Sequence, residues 1–214
     1  AAKKSLLVFP DSLDSYLLKA RLVTTTGTTL SYGPVVSIPG GQVGSAQAIV
    51  YDPVNEKLVV FIRGNSNYPY AVVATISGDS LSFGTPVVVT SVSSSPIDAA
   101  YDSTSGKIVV VYNDELKVGT VSGTSISFGS EATLNQGLND VGLAHDPSSN
   151  KTIIVGYASD NSGKAWLGTV SGTSISVGSP TSMPVTPAKI YGVFYDPPSG
   201  KIGMILQSGT GPGE

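Results

Sequence analysis

The sequence predicts an all-β protein: a β-propeller built from four-stranded antiparallel blades of about 44–53 residues, with incomplete first and last units. Two recurring motifs and their turn chemistry predict it. The first motif is VGTVSGTSISFGS at Val118–Ser130 and LGTVSGTSISVGS at Leu167–Ser179, with weaker copies VATISGDSLSFGT from Val73 and LVTTTGTTLSYGP from Leu22. Its glycines Gly27, Gly78, Gly123 and Gly172 are spaced by 51, 45 and 49 residues. The second motif is an aromatic residue or His, then Asp, four turn formers, Lys and an apolar run, starting at Tyr51, Tyr101, His145 and Tyr195. Its lysines Lys57, Lys107, Lys151 and Lys201 are spaced by 50, 44 and 50 residues, and Lys4 extends the series back by 53. Two motifs that keep the same phase define one structural unit repeated along the chain.

Each unit resolves into strands A to D. In the third unit these are Ile97 to Tyr101, Lys107 to Tyr112, Leu116 to Val121, and Ser125 to Gly129 with a looser continuation. Short runs rich in Val and Ile favour strands over helices. Between A and B, Asp52, Asp102, Asp146 and Asp196 are placed to accept backbone N–H groups in Asx-type turns. Pro53, Pro147 and Pro197 follow at a position where φ near −65° suits a type I turn. Gly106, Asn150 and Gly200 precede the lysines, where a left-handed residue closes the hairpin with a bulge. Between C and D, Ser77-Gly78-Asp79-Ser80 and its equivalents suit a two-residue type II′ turn. Asp14 to Val23 taken alone resembles a short amphipathic helix, but the repeat register assigns Leu17 to Val23 to strand C.

The whole chain, 1–214, reads as a single repeat domain with units at about 1–45, 46–95, 96–140, 141–188 and 189–214, the last partial. It opens in strand B and stops after another strand B, which gives 17 expected strands. A terminal strand A could complete a fourth blade, leaving the final strand B surplus. The other expectation, favoured by the abrupt start and the GTGPGE tail, is a segment of a longer chain.

Composition narrows the function classes. The chain has 214 residues, 12 Lys plus Arg, 15 Asp plus Glu, and 49 Ser plus Thr; charged residues are only 13%. Its net charge of −3 argues against a phosphate-binding footprint, so no nucleic acid is expected as a partner. No apolar run approaches the roughly 18 residues of a membrane helix, and no membrane insertion is expected. With no Cys and one His, thiol chemistry is excluded and a histidine metal cluster is not expected. No cofactor and no metal are expected. A repeated Asp-turn invites a calcium reading, but calcium needs several converging carboxylates and each turn offers one. Asn150-Lys151-Thr152 fits a glycosylation sequon, in a tight turn.

In each unit the A–B and C–D turns share one end of the strands, and the B–C and D–A connections share the other. The turns hardly vary between units. The B–C connections (Pro10 to Tyr16, Arg63 to Tyr70, Asn113 to Glu115, Ala158 to Gly163) and D–A connections such as SVSSSPI and NQGLND vary in length and content. That end is the expected interaction surface. Its first ligand-binding candidate is RGNSNYPY, where Arg63, Asn65 and Asn67 offer polar forks and Tyr68 and Tyr70 flat hydroxylated faces. The second is Asp160 and Asn161, with ordinary turn chemistry as the competing role. Trp166, the only Trp, aligns with Lys117, Val72 and Arg21; the charged equivalents point to partial exposure, and blade packing competes with ligand contact. His145 stands in the slot of Tyr51, Tyr101 and Tyr195 and reads as a substituted structural aromatic.

Enzyme chemistry finds little footing. A sialidase-type propeller needs three arginines around its substrate, and this chain has only Arg21 and Arg63. A carboxylate-pair glycosidase needs two acids on one face. Asp14, Asp114, Glu115, Asp140 and Asp160 are available, but no motif pairs them. There is no phosphate loop and no nucleophile elbow, so no catalytic residue is assigned.

The units VGTVSGTSISFGS and YDSTSGKIVVVYNDELKVGTVSG resemble a repeat of tail-fibre, appendage and other structural proteins of tailed bacteriophages, over almost the whole chain from Lys4 to Leu206. The resemblance implies a non-enzymatic virion or extracellular component of propeller type. Its partners would be other virion proteins, copies of itself, or host surface polysaccharide. A secreted bacterial propeller lectin or adhesion module is the alternative, and a glycan hydrolase the third.

Overall fold

The computed structural model describes residues 3–40, 46–64 and 67–208. Apart from a 3-10 turn at Asn67, all regular structure in them is β. The first sheet holds β1 (Lys3–Asp11), β2 (Leu17–Thr26), β3 (Thr29–Tyr32) and β4 (Val36–Ser37). The second holds β5 (Ala46–Asp52), β6 (Lys57–Arg63), β7 (Pro69–Ser77), β8 (Ser80–Phe83) and β9 (Val87–Val88). The third has β10 (Ile97–Asp102), β11 (Lys107–Tyr112), β12 (Glu115–Ser122), β13 (Ser125–Phe128) and β14 (Ala132–Thr133). The fourth has β15 (Leu138–Asp146), β16 (Lys151–Ala158), β17 (Gly163–Ser171), β18 (Ser174–Val177) and β19 (Thr181–Ser182), and the fifth β20 (Pro187–Asp196) and β21 (Lys201–Ser208). Neighbouring strands are antiparallel throughout, and Leu17 to Val23 is strand rather than helix.

The described residues hold twenty-one strands where 17 were expected. The difference is strand D, broken in two in each of the four units that have it. β13 pairs with the second half of β12; the chain then steps out at Gly129, and β14 returns to pair with Glu115 and Leu116 at the start of β12. The step is held by backbone bonds on either side, Gly129 N to Val118 O and Leu134 N to Asp114 O, and the same pair recurs in the other units. This is the looser continuation that the apolar pattern could not resolve.

Two compact units divide the chain by contact: Ala1–Ser93 with Val121–Ile126, and Ser94–Thr120 with Ser127–Glu214. Each has a core between its own blades. In the first, Leu18, Ala20 and Leu22 of β2 meet Val60 and Ile62 of β6 and Val72 and Ala74 of β7. In the second, Val109, Val111, Leu116 and Val118 pack on Leu143, Ile154 and Trp166. In the second and third blades strand B is buried on both faces: Val59, Val60, Phe61 and Ile62 are all at 0% exposure, as are Ile108 to Val111. Hence strand B reads as an unbroken apolar run rather than an alternation. Each such side chain contributes about 1.5–3 kcal/mol by leaving water. Three outer D strands alternate instead, each burying one residue, Leu81, Ile126 and Ile175, while β3 is exposed throughout.

Candidate functional site

The two ends of each blade are built differently. At the turn end, the expected Asx turns form: Asp52 Oδ1 accepts the N–H groups of Val54 and Asn55, and Asp102 Oδ1 those of Thr104 and Ser105. Asp146 Oδ1 accepts Ser148 N–H at 2.9 Å, and the Ser148 and Ser149 hydroxyls hold its carboxyl down at about 2. Glu56, Gly106, Asn150 and Gly200 close these turns with φ of +52 to +67°, the left-handed region. In the C–D hairpins Gly27, Gly78, Gly123 and Gly172 carry φ of +55 to +61°, while the residue after each stays at negative φ, as a type II′ turn requires.

His145 belongs to this end. It is 7% exposed, and its Nε2 lies 3.2 Å from Thr104 Oγ1 and 3.5 Å from Asp102 Oδ1, so it clasps the A–B turn of the preceding blade. The repeated glycine of the SFGS motif also acts here. A Cβ on Gly129 would fall on the Thr173 carbonyl oxygen in the next blade's C–D turn, and one on Gly84 on that of Thr124. Close blade packing explains a glycine that a hairpin alone would not need.

At the connection end the loops diverge. Arg63 closes β6 opposite Pro69, and its guanidinium has no hydrogen-bond partner among the described residues. Asn67 is exposed with φ of +59°, and its N–H donates to Gly64 O at 3.2 Å. The Tyr68 carbonyl accepts Gly64 N–H at 3.0 Å. Tyr70 packs on the first core, with its ring edge 2.8 Å from where a Gly64 Cβ would stand. Its ring is therefore engaged, in part, in packing. Asn65 lies outside the described residues.

Asp160 and Asn161 serve their own turn. Asp160 Oδ1 accepts both the backbone N–H and the hydroxyl of Ser162, which lowers its pKa. Asn161 has φ of +63° and accepts the Tyr157 hydroxyl at 2.5 Å.

Trp166 corrects the expectation of partial exposure, being 2% exposed and part of the second core. Its charged equivalents misled because each is held within its own blade. Arg21 donates twice to the Gly33 carbonyl and lies over the Tyr32 ring, and Lys117 sits over the Tyr112 ring near Glu131. Trp166 instead reaches over Gly156, where a Cβ would stand 3.3 Å from the indole. It also lines a cleft of about 340 Å³. One wall is the D–A connection, with Thr133, Asn135 and Gln136; the other is the break in strand D, with Ser179 and Pro180. The variable NQGLND segment held the signal for Asn135 and Gln136, but nothing in the sequence placed them opposite Trp166.

A larger cleft of about 490 Å³ lies in the first unit beside Lys4, Tyr51 and Glu56. Its ammonium is already occupied by Asp79 at 2.9 Å and by the Gly78 carbonyl.

One carboxylate pair was not legible in the sequence. Asp98 and Asp140 stand on the inner strands β10 and β15. Asp98 accepts Leu143 N–H on Oδ2 and Ala99 N–H on Oδ1; Asp140 accepts Ile190 N–H on Oδ2 and Val141 N–H on Oδ1. Both oxygens of each carboxyl thus hold backbone, and one of each pair of bonds reaches the adjacent inner strand. Burial is the main cause that pushes the Asp98 carboxyl up to about 6, with the Asp140 charge adding to it.

No protein-family model matches the chain, and no curated protein matches its sequence. Solved structures do resemble it. A protein from Lactobacillus plantarum matches with a TM-score of 0.60 at 11% identity, over 96% of this chain and 67% of its own. A chain of a nidogen/laminin complex matches at 0.58 and 14%, over 95% of this chain and 70% of its own. A lectin in complex with α-methyl fucoside matches at 0.58 and 18%, over 90% of this chain and 65% of its own. The fold is of the β-propeller type. The chain spans about two thirds of the length of these neighbours, and at such identities the likeness is one of fold alone.

Proposed function

We propose that this chain is a non-enzymatic binding module on the surface of a tailed-phage virion, which contacts host glycan or other virion proteins through its B–C and D–A connections. The observation that carries the reading is the contrast between the two blade ends. Asp52, Asp102 and Asp146 accept backbone N–H groups of their own A–B turns, and each A–B and C–D turn places a left-handed residue at the same position in unit after unit. The B–C connections use 5, 5, 2 and 4 residues, with unrelated side chains, on the same scaffold. A rigid scaffold that varies one end only is the arrangement of a recognition surface. The virion assignment is supported by the resemblance of the repeat units. A propeller-fold lectin solved with α-methyl fucoside lends support to glycan as a ligand class for the fold.

A hydrolase is disfavoured by the chemistry of its best acids, since Asp98 and Asp140 spend both carboxyl oxygens on backbone N–H groups. The test is retention of the full chain on an array of bacterial surface polysaccharides, with reducing ends measured after prolonged incubation. Retention without release is the expected result. Release that is lost in Asp98→Asn or Asp140→Asn would overturn the non-enzymatic reading. Free-sugar binding by a protein that is absent from purified particles would favour a secreted lectin instead.

A further inference from the structure

We infer that the cleft between Gln136 and Pro180, beside Trp166, is a binding site for a neutral saccharide. The inference rests on the glycan-contacting reading above and localises it. Three observations carry it.

The first is that an equivalent seam in the other compact unit is closed. Ile38 and Leu134 occupy matching places, each donating its N–H back to the start of strand C, to Leu18 O and Asp114 O. The next two residues are Pro39 and Gly40 in one unit, and Asn135 and Gln136 in the other. A Cβ on Gly40 would meet the Pro86 ring at 3.0 Å, so those walls touch. Gln136 instead faces Pro180, which holds the place of Pro86 in its motif, across a space of about 340 Å³. That is the size of a small-ligand pocket.

The second is the chemistry of the lining. No charged side chain lines the cleft. Asn135 projects from a left-handed residue, φ +54°, and its amide has no partner among the described residues. Gln136 Nε2 donates to Asn135 O at 2.9 Å, which leaves its Oε1 free to accept. Ser179 adds a hydroxyl. Paired amides and hydroxyls without charge match vicinal hydroxyl groups, each of which both donates and accepts.

The third is Trp166. Its ring belongs to the second core and also lines the cleft, which sets an aromatic surface beside the amides of Asn135 and Gln136.

Trp166 is the only tryptophan, so its emission reports on this cleft directly. The experiment titrates the full chain with methyl glycosides of glucose, galactose, mannose, N-acetylglucosamine and fucose, beside polysaccharide retention. Asn135→Gly, which tolerates the left-handed backbone, is combined with Gln136→Ala. The expected result is a saturable emission change with at least one glycoside, weakened tenfold or more in the double variant. Retention on polysaccharide with no emission change and no loss in the double variant would overturn the cleft while leaving the glycan reading standing. Absence of both retention and emission change in folded protein would overturn both.

Discussion

The two ends of these blades share strands and core, yet they divide the work. At the turn end, carboxylates and left-handed residues recur because the geometry admits few alternatives. Asp102 is 1% exposed and holds two N–H groups of its own turn. At the connection end, loops of different length leave the same strands, and side chains such as Arg63, Asn67 and Asn135 remain unbonded to described residues. The contrast teaches that stability and recognition are separable here. Changes at the turn end should cost folding free energy, and changes at the connection end should cost binding.

The largest effect is expected at the blade-packing glycines. Gly129→Ala or Gly84→Ala would drive a methyl onto the neighbouring blade's backbone carbonyl and should cost about 3 kcal/mol in urea denaturation. Gly178→Ala, at the same place in its motif, meets only the Leu167 carbonyl at 3.7 Å and should change stability by less than about 0.5 kcal/mol. Equal costs at the three sites would break the account of this glycine.

Next come the Asx turns. Asp102→Ala strands two backbone N–H groups beside buried His145 and should cost about 2 kcal/mol. Asp146→Ala, in a more open turn, should cost clearly less. The same denaturation series ranks them.

Stability should also follow pH. Asp98 is raised by burial from 3.8 to about 6, so the folded chain holds that proton more tightly than the unfolded chain. Its contribution is full below pH 4 and is lost as pH rises through 6, a decline of about 3 kcal/mol. Asp98→Asn should remove that part of the slope, and an unchanged pH profile in the variant would show that the carboxyl is not so enclosed. Least of all, Asn135→Gly with Gln136→Ala should leave the melting temperature within a degree or two, because Asn135 is exposed and Gln136 only half-buried.

Much of the scaffold was legible because turn chemistry is local. Asp at the start of a turn, Gly before Lys and Gly after Ser each announce a backbone conformation from a few residues. The break in strand D was hidden because Gly129 reads as an ordinary turn former until the neighbouring Thr173 is in view. The site was harder for the same reason. Tyr70 looked like a binding face and is packed in part; Asp160 looked like a polar contact and caps its own turn. Trp166 was singled out, but its charged equivalents argued for exposure. Which residues meet across a seam between blades depends on side chains some 30 to 45 positions apart, and no single motif carries that information.

The most direct test of the division between ends is amide hydrogen exchange on the full chain, with and without the saccharide that binds best on the array. Protection confined to the connections, 113–114, 134–137 and 159–162 among them, with the Asp turns and C–D hairpins unchanged, is the predicted result. Protection centred on the Asp turns or the C–D hairpins would contradict it.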